Sequence, residues 1–167
     1  MTPKKLLSVI LLAFTFPLFT LGQSSVEETP VQAFDFWLGE WNVYKFGTDT
    51  LAGLSRIESI LGGTAIQEHY ETATGYKGTS LNKYNPALKR WEQYWIDNGG
   101  TVLHLKGAGQ KGKMVMGNEQ TVQGRLVKNE ISWTRQEDGT VRQTWRLSQD
   151  GGENWSILFD GHYRPKK

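Results

Sequence analysis

The sequence predicts an all-β protein: roughly ten antiparallel strands in an up-and-down meander that closes into a barrel, entered through a short N-terminal helical plug. Three observations point there. Apolar and polar residues alternate with period two through most of the chain after Gly39, the mark of strands with one buried face. Turn signals such as Gly62-Gly63, Asn85-Pro86 and Asn98-Gly99-Gly100 break that alternation at short intervals. The 167 residues include 19 Gly, seven Trp and only five Pro, which suits short strands joined by tight turns. No long amphipathic helix is present, so a parallel α/β sheet is excluded. A meander of this size must hide its edges, which closure does. A barrel of about ten strands also has room for an internal cavity.

Residues 1–22 have the pattern of a secretory signal. Lys4 and Lys5 form a basic start, Leu6 to Phe19 is apolar, and Thr20 and Gly22 are the small residues before a cleavage point at Gln23. The apolar run is shorter than the ~20 residues of a membrane-spanning helix, so no span is expected in the mature chain. Residues 23–33 are polar and contain Pro30, and read as a flexible lead-in. Residues 34–167 then form one domain. Phe34 to Leu38 is a compact aromatic segment, ended by Gly39 and expected to be a helical turn that plugs the barrel. Strands follow, with Trp41, Val43 and Lys45 on one face of the first. The next are expected over 51–61, 64–72, 76–85 and 89–97, the last with Trp91, Gln93 and Trp95 on one side. Residues 101–107, 113–120, 124–135, 140–148 and 155–163 complete the set.

Composition removes several functions. The chain has no cysteine, which excludes a disulfide scaffold, a thiolate metal site and a cysteine nucleophile. It has 19 Lys and Arg against 17 Asp and Glu. Two of the basic residues lie in the leader, so the remainder is balanced, and no basic face for nucleic acid is expected. Export without cysteine fits a periplasmic or extracellular location. Oligomeric state is not legible.

The opening Phe34-Asp-Phe-Trp-Leu-Gly39-Glu-Trp41 resembles the first-strand signature of the calycin superfamily, in which an aromatic residue and Gly-x-Trp mark entry to the barrel. Lipocalins, fatty-acid-binding proteins and nitrobindin-like haem barrels share it. The chain is similar to a bacterial family of lipocalin-like domains of unknown function that open F-x-F-x-x-G-x-W. Later pieces extend the resemblance: Gln67-Glu68-His69-Tyr70, Gly78-Thr79-Ser80 with Tyr84, and Trp91-x-x-x-Trp95-x-Asp97. It implies a ligand-holding barrel and no particular activity. In residue terms, Gly39 permits a close backbone approach and Trp41 would cover the barrel floor.

Other motifs have mainly structural readings. Gly107-x-Gly109-x-x-Gly112 matches a dinucleotide fingerprint, but Lys113-Met-Val-Met-Gly117 after it reads as a strand, and the fingerprint needs a helix there. Ser148-x-Asp150-x-Gly152-x-x-Trp155 resembles the Asp-box of sialidases, a self-bonded hairpin. His69, His104 and His162 are too scattered for zinc, and no cofactor follows from the residues. His162 lies on the last strand, where nitrobindin-like barrels carry a haem-ligating His, so haem is a minor alternative.

The site is expected among residues that set polar groups beside aromatics on one strand face: Glu68 and Tyr70, Ser80 and Tyr84, Gln93 and Trp95, Gln143 and Trp145. Such walls suit a small-molecule pocket, with apolar bulk for affinity and a few polar groups for orientation. Glu68 is the carboxylate expected to face inward with a raised pKa, with Arg56, Gln93 and Gln143 as candidate partners. The leading expectation is an exported barrel binding a small, partly apolar molecule. The alternative is a small isomerase, cyclase or hydrolase with Glu68 as general acid or base.

Overall fold

The computed structural model describes residues 29–167. The leader expected over 1–22, and the lead-in as far as residue 28, lie outside the described residues. The rest of the lead-in is a turn that is already packed. Ala33 is buried, and the Pro30 carbonyl accepts a hydrogen bond from Trp91 Nε1 at 3.0 Å.

Ten strands follow in chain order: β1 (Gly39–Lys45), β2 (Leu51–Ile60), β3 (Ala65–Glu71), β4 (Lys77–Asn85), β5 (Arg90–Asp97), β6 (Val102–Gln110), β7 (Lys113–Val122), β8 (Arg125–Arg135), β9 (Val141–Ser148) and β10 (Ser156–Pro165). Each pairs antiparallel with its sequence neighbour. β10 pairs back onto β1, with Val43 opposite Tyr163, and the sheet closes. The only helical elements described are two 3-10 turns, Asp35–Trp37 and Leu61–Gly63. The all-β, closed, up-and-down architecture expected from the alternation is therefore present.

The turns show how the sequence sets the hairpins. Between β6 and β7, Lys111 and Gly112 take φ of 50° and 76°, the left-handed pair that lets a two-residue turn follow the strand twist. The glycine-rich Gly107–Gly112 stretch is thus a hairpin and not a phosphate loop. A Cβ on Gly107 would stand 1.9 Å from the Val115 carbonyl oxygen of the facing strand, so its residue is dictated by backbone approach.

The Asp-box-like turn between β9 and β10 is self-bonded. Ser148 Oγ donates to Asp150 Oδ1 at 2.7 Å and accepts from the Gly152 amide at 2.8 Å. Asp150 also accepts from the Asn154 amide and side chain. These bonds, led by the Asn154 amide, hold its carboxyl well below the usual range. Trp155 closes the turn through Nε1 to the Gly152 carbonyl.

Because strands alternate in direction, the two ends of the barrel are lined by different residues. At one end Phe34 stacks on Trp37, with centroids 4.9 Å apart, and meets Trp91 and Trp133 edge-on. Leu105, Met114 and Met116 are also fully buried. Trp41 belongs to this core and donates through Nε1 to the Trp37 carbonyl at 3.0 Å, its ring lying against Gly39. The other end, where β3 turns into β4 and β9 into β10, is where the interior is not filled.

Candidate ligand-binding site

A band of buried polar side chains crosses the inner wall. It begins at Ser55 on β2, whose hydroxyl donates to Glu68 Oε1 on β3 at 2.8 Å. Ser80, opposite Glu68 on β4, approaches Oε2 at 3.4 Å. Asn82, two residues on, donates to Ser80 Oγ at 2.9 Å and accepts from Gln93 Nε2 of β5 at 2.7 Å. On the far side, Tyr163 of β10 lies 3.4 Å from Glu68 Oε1 and makes a short hydrogen bond to Gln143 Oε1 of β9. The period of two places these residues on one face, and the pairing register brings them together as direct or diagonal cross-strand neighbours.

Glu68 is 3% exposed. Burial pushes its carboxyl up from the ordinary 4.5 to about 7, against the opposing pull of hydroxyls from Ser55, Ser80 and Tyr163. Burial, followed by the nearby Glu68 charge, raises Tyr163 well above its usual value and Tyr70 to about 12.

Above this band lies a cavity of about 260 Å³, just below the roughly 300–1,000 Å³ of drug-sized ligand sites and so suited to a smaller molecule. Glu68, Gln93, Gln143 and Tyr163 contribute its polar lining. Tyr70, Tyr76, Trp95, Trp133, Trp145 and Phe159 provide aromatic walls, and Leu103 and Ile131 add aliphatic surface. Thr72 and Leu158 stand among the lining residues from the β3–β4 and β9–β10 ends.

The interior stays hollow because several rings lie along the sheet. The Trp95 ring occupies the space beside Gly78, where a Cβ would come within 2.2 Å of it. Tyr70 lies likewise over Gly53 and Phe159 over Gly161, where a Cβ would meet those rings at 2.7 Å and 2.5 Å. Glycine leaves the room that reclining rings need. Asp97 ties two of the walls, its Oδ2 accepting from Trp95 Nε1 at 3.0 Å and Tyr76 Oη at 2.8 Å. Burial alone would raise the Asp97 carboxyl. The hydrogen bonds from the Thr101 amide, Trp95 and Tyr76 outweigh it and hold the group at about 2.

Six of the eight residues expected to form the pocket come together in it: Glu68, Tyr70, Gln93, Trp95, Gln143 and Trp145. Ser80 stands behind, bonded to Glu68 and fully buried. Tyr84 does not join them. It shares an inward face with Ser80 and Asn82, but it sits at the filled end of β4 and packs edge-on against Trp91 at 6.2 Å. Alternation reports the face of a strand and not the depth. Arg56 is not a partner of Glu68 either, because it points outward and pairs with Glu58. Ser55, Asn82, Tyr163 and the seating glycines were missed. Tyr163 lies on a strand that the alternation identifies, next to His162.

His162 stands on the outer side of β10, since Tyr163 next to it faces in. Its Nε2 is 2.8 Å from Thr140 Oγ1 and its ring packs against Phe46. Burial and the Arg164 charge lower its pKa. No model of a known protein family matches the chain, and no curated protein sequence matches it. What the cavity accepts must therefore be read from its own walls.

Proposed function

We propose that this protein is an exported, lipocalin-like barrel that binds a small, partly apolar molecule inside the cavity and needs no catalysis to do so. The observation that carries the reading is the coexistence of a polar floor and an unfilled aromatic chamber in one closed barrel. A barrel built only for stability would fill that space, since each unfilled volume costs packing energy. Here glycines hold the rings back from it. In the same reading, residues 34–38 plug the opposite end through the Phe34 and Trp37 stack, so that ligand enters only past Thr72 and Leu158. The leader pattern at residues 1–22 and the calycin-like opening support export and a carrier-type barrel.

Native mass spectrometry of the gently purified protein tests this. A discrete adduct that is lost on denaturation is the expected result. A clean apo mass, together with no saturable change in tryptophan fluorescence on titrating small aromatic compounds, would remove the proposal.

A second reading has one observation in its favour. The Glu68 carboxyl, at about 7, is matched to proton transfer at neutral pH, and it reaches the cavity in which a substrate would sit. As an acid or base it would make the barrel a small enzyme of the isomerase, cyclase or hydrolase type. Glu68→Gln would then abolish turnover while ligand is still retained. Turnover by the variant would dismiss this reading.

A further inference from the structure

We propose that the ligand is a small organic cation, an ammonium group carried on an aromatic or short alkyl body, with its charge set between Glu68 and the aromatic faces of the cavity. This rests on the reading of the cavity as a ligand site and narrows the class of molecule it takes.

Three features of the lining argue for a positive charge. First, among the described residues no Lys, Arg or His lines the cavity, while a carboxyl group does. An anionic ligand would find no counter-charge there and would be repelled by Glu68. Second, the groups around that carboxyl suit its ionised form. Ser55 donates to one oxygen at 2.8 Å, and the Ser80 hydroxyl lies 3.4 Å from the other. Among the described residues no cation accompanies them. The titratable groups facing it are Tyr70 of its own strand, Tyr76 on the cavity wall and Tyr163 of β10, all of which lose a proton only in strongly alkaline solution. A buried carboxyl so placed lacks only the positive partner that would offset its desolvation. Third, the walls offer ring faces. The indole N–H of Trp95 and the hydroxyl of Tyr76 are engaged by Asp97, and that of Trp145 donates to Asn129 at 2.9 Å. With their polar edges occupied, these side chains present their π surfaces, which attract a cation within about 6 Å of the ring centre. Gln93 adds a carbonyl oxygen, its amide nitrogen being bonded to Asn82.

A consequence separates this from general hydrophobic binding. In the empty protein Glu68 keeps its proton up to about pH 7. A bound ammonium favours the carboxylate, so binding near pH 6 releases that proton, and affinity rises with pH until Glu68 is ionised without ligand.

The test compares three compounds of similar size on the purified protein: 2-phenylethylamine, 2-phenylethanol and phenylacetate. Affinities are read from tryptophan fluorescence at pH 8. Proton exchange is read by titration calorimetry at pH 6 in two buffers of different ionisation enthalpy. The expected order is amine, alcohol, acid, with the amine at least about tenfold tighter than the alcohol and a proton released to buffer. In Glu68→Gln the preference for amine over alcohol collapses to within about twofold. An alcohol that binds as tightly as the amine in the wild-type protein overturns the cation assignment and leaves the cavity reading standing. Saturable binding by none of the three overturns both.

Discussion

The hydroxyl of Tyr163 lies 3.4 Å from Glu68 Oε1 across 95 residues of sequence, and it makes a short hydrogen bond to Gln143 Oε1. As a donor shared between the two, it pulls against the rise of the Glu68 carboxyl that burial causes. β3, β9 and β10 are thereby joined through one hydroxyl.

The first prediction concerns pH. Between pH 4.5 and about 7 the unfolded chain has released the Glu68 proton while the folded chain retains it. Stability from this group therefore falls as pH rises through that window and stays low above it. The full difference is roughly 3 kcal/mol, at about 1.4 kcal/mol per pH unit. Glu68→Gln cannot ionise. In urea denaturation the variant should gain on wild type from pH 5 to pH 8. A gap that is flat with pH would mean that the carboxyl is solvated.

Gln93→Leu removes the donor to Asn82 Oδ1, which is buried and bonded at 2.7 Å. The expected cost is about 1–3 kcal/mol, the penalty for leaving such an acceptor unpaired. Adding Asn82→Leu should return part of that loss, because no orphan then remains. A double variant no more stable than the sum of its single changes would show that the contact contributes little.

Gly78→Ala places a methyl group where the Trp95 ring now lies. Since the far edge of a side chain is what must move, we expect the indole to swing into the cavity with the barrel still folded. The result should be a shifted tryptophan emission and a loss of ligand affinity of about tenfold or more. Wild-type emission and affinity in this variant would show that Trp95 does not depend on Gly78 for its place.

Trp41→Ala removes a buried indole and its bond to the Trp37 carbonyl. Loss of about 3–5 kcal/mol is expected from the cavity it leaves. A melting temperature within a degree or two of wild type would contradict its structural role.

Strand number, closure and the Asp-box-like turn were legible because they rest on local signals: period two, and Gly, Asn or Asp at positions that need left-handed backbone. The inward parity of Glu68, Gln93 and Trp95 was legible for the same reason. Depth was not, and Tyr84 shows why. It obeys the same parity as Ser80 yet lies at the filled end, where packing against Trp91 decides its place. Ser55 and Asn82 were hidden for another reason. Short polar residues in strands are common, and their meaning comes only from the cross-strand register that brings them to Glu68 and Gln93. The glycines beneath Trp95, Tyr70 and Phe159 read in sequence as ordinary strand glycines, because what they accommodate comes from a diagonal neighbour or from two residues along.

Nine of the ten strand pairs join neighbours through hairpins, and only β1 with β10 does not. The hairpins can zip one after another at little entropic cost. The seam cannot form until the final strand is available, and it must then bring together segments from opposite ends of the sheet. Two unpaired edges persist until that moment, each able to recruit a strand from another molecule. The docking of Val43 against Tyr163 is therefore the step that removes the last two open edges. That same tyrosine reaches Glu68, so the site is completed only when the seam is closed.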